Sequence, residues 1–307
     1  ATVFALSVIG CGTKDTKEQD AYRQYGITCM ESGKYEDAVK AFQNALGESI
    51  GHIGEKELDI CFYKAKAQAL DGKTKDALAT YNAIIKYNKD ARAYYLRGDL
   101  YMDMGEEKKG KADFESAVQH GKKNYEIYIG IYESLSRHEK KDEGQKYLSA
   151  AMEIKGDKPE DELYKGRISY LLGENKDAIS YLEKAKEHKQ MLASYYLGLA
   201  YDANGDSDKA KKCIAEYIKS GVATSYDLYE LGMQEMQDGN YKNALTYFNS
   251  GLELEKVPNK QNLMKSAIAA YEYSGDFDSA KKMMKEYLKA YPDDEEAKHE
   301  NTFLETR

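Results

Sequence analysis

Proline is scarce in this sequence of 307 residues, with three occurrences, and tryptophan is absent. Proline interrupts helices because it lacks a backbone N–H and clashes with the preceding turn, so few helix interiors are broken here. Good helix formers such as Lys, Glu, Ala and Leu are abundant instead. The composition therefore predicts an all-α protein.

Dense basic segments are missing as well. The formal net charge is −8, and the 32% of residues that are charged include both signs along the whole chain. No run of Lys and Arg occurs that could neutralise successive phosphates, which is the main source of affinity for nucleic acids. The sequence therefore predicts no nucleic-acid partner.

Long hydrophobic runs are also lacking, and a membrane-spanning helix needs about 20 apolar residues. The N-terminal stretch ATVFALSVI, residues 1–9, is apolar but much shorter, and it ends at Gly10, Cys11 and Gly12. A stretch of this length is typical of the hydrophobic region of a signal peptide. The next residues, 13–18, are polar and are interpreted as a short tether.

The residues Val8, Ile9, Gly10 and Cys11 resemble the lipobox of bacterial lipoproteins, in which the cysteine is lipidated on its thiol and becomes the first mature residue. The resemblance implies a lipid anchor at Cys11 and an extracytoplasmic, membrane-anchored location. Residues 1–18 would then be a signal-peptide remnant with its lipobox and tether. The alternative is an N-terminal tail with a chance cysteine.

A glycine followed five residues later by an alanine recurs along the rest of the chain. Two looser copies begin at Gly105 and Glu139, and the eight copies are 32 to 39 residues apart. Repeats of this length are typical of solenoids, in which each helix pair packs on the next. Residues 19–307 are therefore expected to form one array. The six full copies are Gly33/Ala38, Gly72/Ala77, Gly173/Ala178, Gly205/Ala210, Gly239/Ala244 and Gly275/Ala280.

The repeat resembles the tetratricopeptide repeat over residues 19–292. The resemblance implies an all-α, right-handed α-solenoid superhelix of about eight helix pairs, with residues 293–307 as a C-terminal capping helix. It also implies a scaffold that binds proteins or peptides and carries out no catalysis. The matching residues in the third copy are Tyr94, Gly98, Tyr101, Gly105, Phe114 and Ala117.

Glycines also stand in the middle of the first helix of several copies, as at Gly26, Gly98, Gly166 and Gly232. Glycine there costs about 1 kcal/mol relative to alanine, so a close helix approach must compensate. We expect the second helix to place its own small residue, such as Ala38, against this backbone. The glycines after the first helices suit a left-handed turn.

The first helices of the resembling family line a concave groove, and its groove positions carry over to a set of aromatic and methionine residues here. Such side chains are typical anchors for an extended peptide or a partner helix. Packing against neighbouring helices is the alternative for each of them. The predicted groove residues are Phe62, Tyr95, Met102, Leu163, Tyr170, Tyr195, Leu199, Tyr226, Tyr229, Met233 and Met236, with Arg23, Arg92, Arg137 and Arg167 among them.

Other reactive residues favour no further site. Cys29, Cys61 and Cys213 fall at helix positions that suit small buried hydrophobic residues, and the five histidines are scattered. We predict no metal, no cofactor and no catalytic group. The sequence thus predicts a lipid-anchored bacterial scaffold that acts in protein-complex assembly. The alternatives are a soluble cytoplasmic regulator that senses a peptide signal, and an enzyme that uses the solenoid as a scaffold.

Overall fold

The computed structural model describes residues 17–49, 53–156 and 158–307, so the lipobox prediction at Cys11 lies outside the described residues. Regular structure in the described part is entirely α-helical and comprises seventeen helices. They are α1 Lys17–Glu31, α2 Tyr35–Gly47, α3 Glu55–Leu70, α4 Thr74–Asn88, α5 Ala91–Asp103, α6 Glu107–His120, α7 Tyr125–Arg137, α8 Lys141–Met152, α9 Pro159–Leu172, α10 Asn175–Glu187, α11 Leu192–Ala203, α12 Ser207–Lys219, α13 Ser225–Gln237, α14 Tyr241–Leu252, α15 Lys260–Tyr273, α16 Phe277–Ala290 and α17 Glu295–Leu304.

The helices stack in consecutive pairs, which confirms the predicted fold class. The odd-numbered helices up to α15 are the first of their pairs, and most pack on the even-numbered helix that follows, as α1 does on α2 and α13 on α14. The last helix, α17, packs on α16. First helices of neighbouring pairs also touch, for example α5 and α7. The chain divides into two compact units within α12: unit 1 ends at Lys211, and unit 2 is Lys212–Arg307.

The turns between the helices of a pair are built on left-handed residues, as predicted. Gly33, Gly105 and Gly239 have φ values of 70°, 74° and 77°. Glycine adopts this conformation without steric cost because it has no Cβ. In the fourth pair Glu139 takes the same place with φ 60°, where a side chain is strained.

The mid-helix glycines make the predicted close approach, and in the third pair the small residue of the second helix takes part in it, since a Cβ at Gly98 would lie 3.0 Å from the carbonyl oxygen of Gly110. A Cβ at Gly26 would lie 2.6 Å from a ring carbon of Phe42, and one at Gly98 would lie 2.9 Å from Phe114. The nearest atoms therefore belong to a bulky side chain of the second helix, four residues after the small residue. The reason is volume: removing the Cβ opens a space that a ring fills, whereas alanine would leave it empty.

The fourth pair inverts this arrangement. Its glycine lies on the second helix, where a Cβ at Gly144 would be 3.0 Å from the Tyr132 ring and 3.1 Å from the Tyr132 Cα. The glycine of its first helix, Gly130, instead approaches Tyr95 of α5, in the preceding pair. In this pair the large residue lies on the first helix and the glycine on the second, and the two helices still pack closely.

The predicted capping helix is α17. It buries Ala297 and Leu304 against the last pair and leaves most of its other side chains exposed. Asp294 begins it by accepting a hydrogen bond from the Ala297 N–H at 3.0 Å. The hydroxyl of Tyr287 in α16 donates to the same carboxylate at 2.5 Å, and Lys265 of α15 pairs with it at 2.9 Å. These contacts hold the helix on unit 2.

Candidate protein-binding surface

The first helices of unit 1 are α1, α3, α5, α7, α9 and α11. They share a surface that we term the first-helix face of unit 1. Ion pairs join successive helices across it. Arg23 of α1 donates through Nε to Asp59 Oδ2 of α3 at 2.9 Å, and Lys56 of α3 pairs with Asp20 of α1 at 2.9 Å. The guanidinium of Arg23 also lies 5.2 Å from the ring centre of Tyr63.

The same pattern continues between the fifth and seventh helices. Arg137 of α7 pairs with Asp99 of α5 at 2.6 Å, and the His138 ring lies 3.2 Å from the Asp103 carboxylate. Tyr95 lies beneath these groups. Burial raises the pKa of its phenol, and the nearby Asp99 and Glu133 carboxylates raise it further, so Tyr95 stays neutral at physiological pH.

Arg167 of α9 completes the series. Its guanidinium pairs with Glu133 of α7 at 3.0 Å and with Glu126 at 3.3 Å, and it lies 5.5 Å from the ring centre of Tyr196 in α11. The side chain is only 19% exposed. A single arginine therefore links three consecutive first helices, and this part of the face has little unsatisfied charge.

Two cations on the face have no carboxylate partner within ion-pair distance in the described part of the chain. Arg92 of α5 is exposed, and its guanidinium lies 3.7 Å from the ring centre of Phe62 in α3. Lys66 is exposed one helical turn after Phe62 on α3. The surface around Phe62 thus carries positive charge that no carboxylate of the described residues pairs with.

Several predicted groove residues of unit 1 contribute mainly to helix packing. Phe62, Met102, Leu163 and Tyr195 are at most 8% exposed. Phe62 packs on Tyr81 with ring centres 6.5 Å apart. Tyr95, Tyr170 and Leu199 are half-buried, and burial also raises the pKa of the Tyr170 phenol. Side chains this enclosed offer a ligand little area.

The predicted groove residues of unit 2 all lie on α13. Tyr226 is 56% exposed, whereas Tyr229, Met233 and Met236 are half-buried. Tyr229 packs on Phe248 with ring centres 6.2 Å apart. The strip is uncharged, unlike the first-helix face of unit 1.

The carboxylates that pair with arginines across the first-helix face were missed in the sequence because each looks like an ordinary solvated acid. A detectable signal is present: opposite charges recur about one repeat apart, with separations of 36 residues for Arg23 and Asp59 and 38 for Asp99 and Arg137. A search for such pairs at the repeat distance would have found them.

Other kinds of site have less support. The described residues contain no cluster of three or more His, Cys, Asp or Glu placed to hold a metal ion. They also contain no helix with the length and apolar character needed to cross a membrane. Cys29 and Cys213 are buried as predicted, Cys61 is half-buried, and all three are present as thiols.

Comparison with known proteins decides the nature of the repeat. Three family models described as tetratricopeptide repeat match this sequence, one at residues 26–85, one at 91–119 and one at both 192–220 and 261–294. The chain contains tetratricopeptide repeats. This architecture is suited to protein–protein interaction, and proteins of this kind are typically scaffolds. A search of curated proteins gives no significant match.

Solved structures of similar fold have low sequence identity. A tetratricopeptide repeat protein from Parabacteroides merdae has 12% identity and a TM-score of 0.48 over 83% of this chain and 99% of that chain. PilW, a type IV pilus biogenesis factor, has 16% identity and a TM-score of 0.43 over 80% and 99%. The APC/C hetero-tetramer Cut9–Hcn1 has 15% identity and a TM-score of 0.45, with 94% of this chain but 57% of that chain covered.

Proposed function

We propose that this chain is a scaffold that binds a segment of another protein along the first-helix face of unit 1. The observation that supports the proposal is the pair of uncompensated cations, Arg92 and Lys66, beside Phe62. Elsewhere on the face, arginines are already paired with carboxylates of a neighbouring helix. An acidic segment would supply the carboxylates that Arg92 and Lys66 lack among the described residues.

The partner would be an extended or helical peptide segment with carboxylates at its centre. A carboxylate on Arg92 would form a charge-assisted hydrogen bond above the Phe62 ring, and charge complementarity of this kind governs specificity and association rate. Lys66 would contribute a second contact. Binding should weaken as salt rises, because exposed charges are screened.

The test is affinity capture with the full chain and with a charge-reversed variant, Lys66→Glu/Arg92→Glu. A matched control is Lys75→Glu/Lys108→Glu, which makes the same charge change at two exposed lysines of α4 and α6. We expect the partner to be retained by the wild type and the control and lost by the reversed variant. Equal capture by both variants would place the partner elsewhere.

We further propose that the chain is a lipid-anchored, extracytoplasmic bacterial protein that acts in the assembly of a protein complex. The support is the sequence Val8 to Cys11 after an apolar stretch. One acyl chain binds membranes only marginally, and the lipoprotein modification supplies at least two, which gives stable tethering.

Cys11→Ala in the full precursor should release the protein from the membrane fraction. Partitioning of the native protein into a detergent phase tests the same point without a mutation. Retention of the variant in membranes would show that Cys11 is not the anchor. A native protein that stays in the aqueous phase would favour the alternative of a soluble cytoplasmic regulator that senses a peptide signal.

A further inference from the structure

Four aromatic residues lie where the helices of unit 2 meet their turns, and we term them the turn-edge surface: Tyr241, Tyr273, Phe277 and Phe303. Tyr241 and Phe277 are the first residues of α14 and α16, Tyr273 ends α15, and Phe303 is near the end of α17. Tyr273 is 68% exposed and Phe303 45%. The rings of Tyr241 and Tyr273 stack with centres 5.4 Å apart.

The other two rings, those of Tyr241 and Phe277, are half-buried, and Phe277 packs against the hydrophobic core of unit 2. Exposed apolar groups that cluster mark interaction sites in soluble proteins, and tyrosine is among the residues that contribute most to binding. The four residues lie at or near helix ends and include none of the residues of the first-helix face of unit 1. This surface therefore goes beyond the function proposed above.

Carboxylates beside the rings determine which charge the surface favours. Glu272 precedes Tyr273 in the sequence, and its half-buried carboxyl lies close to that of Glu300 in α17. Burial raises the pKa of Glu272, and the charge of Glu300 raises it further, whereas Arg307 opposes the shift. A cation placed here would relieve the repulsion between two neighbouring acids.

A cation of the chain already lies over two rings of the turn-edge surface. The guanidinium of Arg307 lies 4.7 Å from the ring centre of Phe303 and 5.6 Å from that of Phe277. Both separations are within the range of a cation–π interaction. The stacked pair Tyr241 and Tyr273 has no such cation over its rings in the part of the chain that the structure describes.

We propose that the turn-edge surface binds an arginine-bearing segment of another protein, which stacks a guanidinium on Tyr273 and pairs it with Glu272 and Glu300. Arginine fits better than lysine because its planar group stacks on rings and can form two parallel hydrogen bonds with a carboxylate. An anionic membrane surface fits poorly, since Glu272 and Glu300 would be repelled by acidic lipids. Arg307 acts as an internal competitor for part of the surface.

The experiment uses the full chain and a fluorescent, N-acetylated, C-amidated peptide of alternating arginine and glycine with about three arginines, a length that spans neighbouring turn edges. The comparison peptide carries citrulline in place of arginine, which keeps the shape and removes the charge. Fluorescence anisotropy measures the affinity of each. We expect binding of the arginine peptide and little binding of the citrulline peptide.

Three variants should change the affinity for the arginine peptide in different directions. Tyr273→Ala should weaken binding about three- to fivefold, as expected for one exposed cation–π contact. Glu272→Gln should also weaken it. Arg307→Ala should tighten binding because it removes the internal competitor, a change that general damage to the fold would not produce. Tyr25→Ala, which removes a 57% exposed tyrosine of α1, is the matched control and should leave affinity unchanged.

Circular dichroism confirms that each variant is folded. The proposal is overturned if the citrulline peptide binds equally well, or if Tyr273→Ala or Arg307→Ala leaves affinity unchanged. It is also overturned if the surface instead mediates self-association or binding to phosphatidylserine vesicles, each lost in Tyr273→Ala.

Discussion

Phe248 of α14 packs directly on the backbone of Gly232 in α13, so closely that a Cβ at Gly232 would lie 2.3 Å from the ring. Phe248 is fully buried. The contact repeats in other pairs, between Gly26 and Phe42 and, with leucine in place of the ring, between Gly166 and Leu182. One missing methyl group thus sets how closely the two helices of a pair approach.

Gly232→Ala should therefore destabilise the protein although alanine is the better helix former. Overpacking costs about 1–3 kcal/mol, against a gain of about 1 kcal/mol in helix propensity, so we expect a net loss of up to about 2 kcal/mol. Urea unfolding followed by circular dichroism measures it. Gly47→Ala is the matched control, because no atom lies within 4 Å of the position that its added methyl group would occupy; a loss of equal size there would contradict the packing explanation.

Glu139→Gly should stabilise the protein, because Glu139 has φ 60° at a turn where other pairs use glycine. Relief of left-handed strain is worth about 1–2 kcal/mol, and the extra freedom of glycine in the unfolded chain costs about 0.4–1 kcal/mol. The expected net gain is up to about 1.6 kcal/mol, visible as a higher urea midpoint. Gly105→Ala, in open space with φ 74°, should show the opposite sign. Two changes of the same sign would argue against backbone strain.

The buried ion pair between Arg97 and Asp113 should matter more than an exposed one. Arg97 donates to both carboxylate oxygens, at 2.7 and 2.6 Å, and the side chains are 18% and 8% exposed. Asp113→Ala leaves a largely buried guanidinium without its carboxylate, with an expected loss of about 3–5 kcal/mol. Asp99→Ala, which breaks the more exposed pair with Arg137, should cost less than about 1 kcal/mol. The free energies of unfolding of the two variants measure these losses. Equal losses of stability would contradict the prediction that the buried pair matters more than the exposed one.

The anchorage of α17 should depend on pH through Asp294. The Tyr287 hydroxyl, Lys265 and the Ala297 N–H all stabilise its ionised form and hold its pKa well below the ordinary value. Because the folded-state pKa is depressed, this contribution is fully present above the unfolded-state pKa of about 4 and is lost as pH falls through and below that value.

Asp294→Asn tests the assignment. The wild type should exceed the variant in stability at pH 6, and the difference should shrink as pH is lowered below about 4. Urea midpoints at several pH values provide the measurement, with Asp278→Asn, at an exposed carboxylate of α16, as the control. A constant difference between wild type and Asp294→Asn across this range would exclude the titration of Asp294 as its cause.

The sequence alone determined the repeat, the helix pairs and the turns. These features depend on short-range chemistry: glycine is favoured wherever a turn needs φ near +75°, as at Gly105 and Gly239. The capping helix was predictable for the same reason, since its polar composition is local. Repetition at intervals of 32 to 39 residues makes each of these local patterns recognisable in several copies along the chain.

Tertiary structure alone decided which side chains are available for binding. Phe62 and Tyr226 occupy groove positions in the sequence, yet one is 7% exposed and the other 56%, because burial depends on the neighbouring helices. The same holds for Arg92, which lies on Phe62 without a carboxylate partner among the described residues, and for Tyr273, exposed at a turn. Contacts between residues of different helices set these differences, and a local pattern does not encode which distant side chain fills a given space.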